Sequence, residues 1–153
     1  MYLREYLKQF EDKKVRIYVD MDGVIADYNV GVPKDYDKKR PLLDSINKLK
    51  EISELPNVEL YILSTSRLNV GIKEKNEWLD EYAPFFKKEN RIIISRENNR
   101  YYSSKELKCG YMRQIKKDND LAIIIIDDDP TILRALRVQD QHLFLLKDTV
   151  LVD

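Results

Sequence analysis

Asp20-Met-Asp22-Gly23 sets two carboxylates two residues apart, directly after the β-branched run at 15–19. Gly23 permits the sharp backbone turn that such a junction needs. A second acidic cluster, Asp127-Asp128-Asp129, follows the aliphatic run at 121–126, and a third apolar run, 58–63, ends in Ser64-Thr65-Ser66. Carboxylates gathered in one place repel one another, and their pKa values rise unless a cation neutralises them. A hard divalent ion with oxygen ligands does this, and Mg²⁺ suits a site that also takes phosphate. A carboxylate can itself attack phosphorus if a second acid protonates the leaving oxygen and then activates water. Asp22 stands where that second acid is needed. The Ser64 hydroxyl and a lysine ammonium could hold the non-bridging phosphate oxygens.

Each cluster has an ordinary reading when taken alone. Asp-x-Asp-Gly is a common turn sequence, Ser-Thr-Ser closes many strands, and acids before Pro130 can cap a helix whose dipole favours anions. All three at the ends of buried strands in one chain are read as a site.

The elements that must position these residues follow from periodicity. Leu3, Tyr6, Leu7 and Phe10 fall at helical spacing, so residues 1–10 are expected to form a short amphipathic helix. Strands are expected at 15–19, 58–63, 91–94, 121–126 and 142–146. The 121–126 run is apolar on both faces, as in the centre of a parallel sheet. Helices are expected at 41–55 behind Pro41, at 70–82 with Trp78 and Leu79 turned inward, at 104–116 capped by Ser104, and at 130–138 behind Pro130. Strand and helix alternate with short connections, so the expected fold is α/β: a three-layer, Rossmann-like, open and mainly parallel sheet. In such sheets ligands bind beyond the carboxyl ends of the strands, where all three clusters should meet.

Composition narrows the chemistry. The 153 residues carry 27 Lys+Arg against 27 Asp+Glu, with 43% hydrophobic and 35% charged residues. That length suits one domain over 1–153. The zero formal charge argues against a long nucleic-acid partner or an anionic membrane. One His (His142) and one Cys (Cys109) exclude an intrachain disulfide and a Cys/His zinc site. Catalysis is therefore expected to run on carboxylates, hydroxyls and amines. With no signal-like apolar run at the N-terminus and no aliphatic run long enough to span a bilayer, a soluble cytoplasmic protein is expected.

At these residues the chain resembles the haloacid dehalogenase (HAD) superfamily of phosphohydrolases. Asp20-Met-Asp-Gly-Val-Ile-Ala-Asp-Tyr28 is similar to the first motif of its cytosolic 5′(3′)-deoxyribonucleotidase branch. Leu60-Tyr-Ile-Leu-Ser64 is similar to the second motif, and Ile123-Ile-Ile-Ile-Asp-Asp-Asp-Pro130 to the fourth. Lys75-Asn-Glu-Trp-Leu79 also resembles that branch's helix after the second motif. The resemblance implies that Asp20 is nucleophile and Mg²⁺ ligand, and that Asp22 is general acid/base and binds Mg²⁺ through its carbonyl. It implies that Ser64, with Thr65 beside it, holds phosphate, and that Asp127 and Asp128 complete the metal ligands. For the lysine of the third motif Lys105 is favoured over Lys108 and Lys117. An acid at Asp22 favours phosphate-ester hydrolysis over dehalogenation.

Members acting on nucleotides usually carry a helical cap between the first and second motifs. Here little more than residues 28–40 remains for it, so the site could be open, completed by another subunit of a homo-oligomer, or suited to a larger substrate. The expected partner is a small phosphorylated substrate, such as a nucleoside monophosphate; a polynucleotide 3′-phosphate is the alternative. Tyr28 and Tyr36 could stack on a base, and Arg67 and Arg96 could touch substrate. A phospho-acceptor receiver module also uses clustered aspartates and Mg²⁺. Its acceptor aspartate, however, lies on a middle strand, where this chain has Ser64.

Overall fold

The computed structural model describes residues 2–28, 36–99 and 102–152. Five strands form one sheet: β1 (Lys14–Val19), β2 (Val58–Ser66), β3 (Arg91–Ser95), β4 (Leu121–Asp127) and β5 (Phe144–Lys147). Their order is β3-β2-β1-β4-β5 and every pairing is parallel. The α/β, Rossmann-like expectation is met. The chain steps outward from β1 through β2 to β3, then crosses back to place β4 on the other side of β1. That reversal opens a crevice at the carboxyl ends of β1 and β4.

Side-chain alternation along the strands divides the core in two. Val15, Ile17 and Val19 of β1, with Ile124 and Ile126 of β4, face a cluster that includes Ile46, Leu49, Ile52, Trp78 and Leu79. Tyr18, Ile123 and Ile125 face the opposite cluster, with Cys109, Met112, Ile132 and Leu136. One layer is thus α1 (Leu3–Leu7), α2 (Leu43–Ser53) and α3 (Val70–Tyr82), and the other is α4 (Ser104–Arg113) and α5 (Pro130–Gln139). β4 is buried on both faces because it pairs on both edges and is covered by both layers; β1 holds the centre.

Three boundaries differ from the sequence expectation in ways that shape the site. β2 continues through Ser64-Thr65-Ser66, because those residues pair with Ile93, Ile94 and Ser95 of β3. α2 begins at Leu43: Pro41 forms a bridge with Ala26, and the Leu42 amide donates to the Ile25 carbonyl. α4 is capped by Ser103, whose hydroxyl accepts from the Glu106 amide while the Glu106 carboxylate accepts from the Ser103 amide, a capping box. Ser104 is thereby free for other bonds. The 1–10 helix is a single α-turn followed by a 3-10 turn at Lys8–Phe10, and β5 begins at Phe144. Among the described residues no helix is long and apolar enough to cross a membrane.

Candidate active site

Asp20 is the first residue past β1, and its amide donates to the Ile126 carbonyl at 3.0 Å. Because Val19 stands opposite Ile126, Asp20 and Asp127 come level across the crevice. The chain then turns sharply: the Met21 carbonyl accepts from the Val24, Ile25 and Ala26 amides, and Gly23 takes a φ of 80°. A Cβ at that position would meet the Asp128 carboxylate and the Tyr28 ring. Both conformation and space therefore require glycine there.

One carboxylate oxygen from each of Asp20, Asp127 and Asp128 lies within 4.8 Å of the other two. These are hard oxygen donors, and their number and charge fit a small divalent cation such as Mg²⁺. Tyr28 donates its hydroxyl to Asp128, and Lys147 Nζ donates to the Asp128 carbonyl at 2.8 Å. Asp129 takes the other role foreseen for the acidic run. Its side chain accepts from the Thr131 amide at 2.8 Å and caps α5, behind Pro130.

Of the three candidate lysines, the one that lines this crevice is Lys108 and not the favoured Lys105. Lys108 Nζ stands 2.8 Å from Asp127 Oδ2 and 3.0 Å from Asp20 Oδ1, and the residue is buried on the same helix as Cys109 and Met112. Lys105 lies in the first turn of α4 and is exposed. One turn further along, the side chain reaches the strand ends, where two carboxylates make it affordable to bury an ammonium. Lys117 lies elsewhere, paired with Asp140.

Asp22 is gripped by two lysines that sequence reasoning did not assign. Lys39 Nζ is 2.5 Å from Asp22 Oδ1, and Lys75 Nζ is 3.2 Å from Oδ2. Lys75 also donates to Ser64 Oγ and to the Thr65 carbonyl, each at 2.7 Å. Its signal was present: a lysine on the inward face of α3, one turn before Trp78 and Leu79. Lys39 carried no comparable mark. Thr65 faces the crevice, where its hydroxyl shares a 2.7 Å hydrogen bond with Ser104.

Burial pushes the Asp20 carboxyl up to about 7, against the pull of Lys108 and with the help of neighbouring Asp127 and Asp22. Burial also raises Asp127, again against Lys108. Burial would raise Asp22 too, but Lys75 and Lys39 outweigh it and hold that carboxyl below its ordinary value. Burial lowers Lys75 despite Asp22, whereas for Lys108 the two carboxylates overcome burial and raise it. The crevice is a cavity of about 180 Å³, lined by Asp20, Asp22, Tyr28, Ser64, Thr65 and Lys108 among others.

Tyr36 does not line it. Tyr36 is buried edge-on against Trp78, with Lys39 and Lys75 above its ring. Tyr28 remains 57% exposed, so its ring can meet a ligand while its hydroxyl is committed to Asp128. Arg67 and Arg96 are exposed at the ends of β2 and β3. Of the expected cap segment, the described part holds one 3-10 turn, Tyr36–Lys38; residues 29–35 lie outside the described ones.

No protein-family model and no curated protein sequence matches the chain. Solved structures do. A chain in the structure of the Pnkp1/Rnl/Hen1 RNA repair complex aligns with a TM-score of 0.67 at 16% identity, over 88% of this chain and 42% of that one. This chain thus spans less than half the length of that relative. The HAD domain of effector protein Lem4 from Legionella pneumophila aligns with a TM-score of 0.51 at 17% identity, over 90% of this chain and 86% of that domain. An inactive mutant of the same domain aligns with the same TM-score. At such identities the likeness concerns the fold, which is HAD-like.

Proposed function

We propose that this chain is a Mg²⁺-dependent phosphomonoester hydrolase that works through an aspartyl-phosphate. The observation that carries the reading is the placing of Asp20 at the β1–β4 crevice, paired with Lys108 and level with Asp127, with Asp22 two residues further on. An Asp20 oxygen attacks phosphorus, the phosphorus–oxygen bond to the leaving group breaks, and Asp22 delivers the proton that the leaving oxygen needs. Asp22 then takes a proton from water as that water attacks the aspartyl-phosphate, releasing phosphate and restoring Asp20. Lys108 and Ser64 supply donors to the phosphoryl oxygens. Asp20, Asp127 and Asp128, with the Asp22 carbonyl, would hold Mg²⁺, which supplies charge neutralisation for a dianionic substrate among carboxylates.

The two lysines on Asp22 are not equally committed. Lys75 is locked by Ser64 and Thr65, whereas Lys39 has Asp22 and the face of Tyr36 as its partners. Lys39 is therefore the one to yield when Asp22 must carry a proton.

For substrate we favour a nucleoside monophosphate, with the base on Tyr28. A polynucleotide 3′-phosphate is a second reading. It is supported by the fold likeness to a chain of an RNA repair complex. Phosphate release from an aryl phosphate should require Mg²⁺ and disappear in Asp20→Asn. Equal background rates for wild type and variant across nucleoside monophosphates, sugar phosphates and 3′-phosphorylated oligonucleotides would refute the enzyme reading.

A further inference from the structure

Lys75 is 4% exposed, and its ammonium has three hydrogens for three acceptors: Ser64 Oγ, the Thr65 carbonyl and Asp22 Oδ2. An ammonium only donates, so in the Lys75 pair Ser64 Oγ is the acceptor. The serine hydroxyl must then direct its own proton elsewhere. Among the described residues Ser64 Oγ has no other hydrogen-bond partner, the residue is 1% exposed, and it lines the crevice that holds Asp20 and Lys108. A buried donor aimed into a cavity of this chemistry lacks only an anionic oxygen to receive it.

We propose that Lys75 is a positioning residue that fixes the Ser64 hydroxyl as a donor toward the substrate's phosphoryl oxygen. This inference rests on the phosphatase reading and deepens it. Without the ammonium, Ser64 can turn its proton toward the surrounding carboxylates and present a lone pair to the phosphate, which repels it. Lys75 thus acts through Ser64 rather than by touching substrate. Lys108 differs from it in holding Asp20 and Asp127 instead of the hydroxyl.

A double-mutant cycle on the full chain tests this, using Lys75→Met, Ser64→Ala and the pair. Lys75→Met keeps the length of the side chain and removes its donors. It should lower kcat/KM for an aryl phosphate about ten- to a hundredfold and weaken inhibition by inorganic phosphate. In the Ser64→Ala background the same change should cost less than about threefold. A penalty of equal size in both backgrounds overturns the proposal, since the lysine then acts through Asp22 alone or through packing. Should Lys75→Met fail to fold, Lys75→Arg takes its place in the cycle; failure of both marks the lysine as structural and overturns the proposal as well. Calorimetric binding of inorganic phosphate separates the two readings. If wild type shows no Mg²⁺-dependent turnover, the phosphatase reading fails, whereas weaker phosphate binding in Lys75→Met still reports on the lysine by itself.

Discussion

At the scale of single residues, the site is a balance of buried charge. Asp20 and Asp127 face each other across the crevice, and Lys108 is the cation within 3.0 Å of both. Removing one partner of a buried ionic group costs about 3–5 kcal/mol, because the charges left behind lose their compensation. Lys108→Met should therefore lower stability by roughly that amount in urea unfolding, and added Mg²⁺ should restore part of it. Lys105→Met, at an exposed position one turn away, should stay within about 0.5 kcal/mol of wild type and keep its activity. The opposite ranking of the two variants would return the role to Lys105. Sequence reasoning could narrow the choice to a few lysines on one segment. Choosing among them required knowing which helical turn reaches the strand ends.

At the scale of elements, register does what spacing along the chain cannot. Ser66 of β2 pairs with Ser95 of β3, so Arg67 and Arg96 leave neighbouring strands side by side, on the same sheet edge as Asp20. Strands lie about 4.8 Å apart, which sets β3 roughly 10 Å from β1, far enough to meet a second phosphate of a chain-like substrate. If the substrate is a 3′-phosphorylated oligonucleotide, replacing both arginines by alanine should raise its KM about tenfold or more, the effect of losing phosphate contacts, and flatten its salt dependence. Turnover of an aryl phosphate should change little. Equal effects on both substrates would speak for a structural role, and no effect on either would favour the mononucleotide. The same register explains why Ser64-Thr65-Ser66 is strand rather than turn. A turn would leave the Thr65 carbonyl and Ser64 hydroxyl without the fixed direction in which Lys75 finds them.

For the whole molecule, two apolar clusters share one sheet, and each carries its own reporter. Trp78 is the one tryptophan and lies in the cluster under α2 and α3; Cys109 is the one cysteine and lies in the cluster under α4 and α5. Burial raises the Cys109 thiol, so little thiolate is exposed to an alkylating reagent while the fold is intact. Because β1 and β4 contribute side chains to both clusters, the two should be lost together. Trp78 fluorescence and Cys109 alkylation should give the same urea midpoint. Separate midpoints would show that the layers unfold independently and that 1–153 is not one cooperative unit.

Local sequence determined a good deal by itself. Runs of apolar residues at periods of two and near four located all five strands and the α3 helix, and the order of strand and helix required a parallel open sheet. The rule that polar residues at carboxyl strand ends converge predicts one crevice for Asp20, Asp22, Ser64, Asp127 and Asp128, and all five line it. Those readings succeed because hydrophobic period and strand termini are properties of the chain as written. The tertiary structure alone decided which lysines are buried, that the Tyr36 ring packs edge-on against Trp78, and that Asp129 caps α5 while its neighbours turn to the site. Long side chains are the reason. A lysine reaches past its own element, and its partner is chosen by the depth at which helix and strand cross, a distance that no spacing along the chain records.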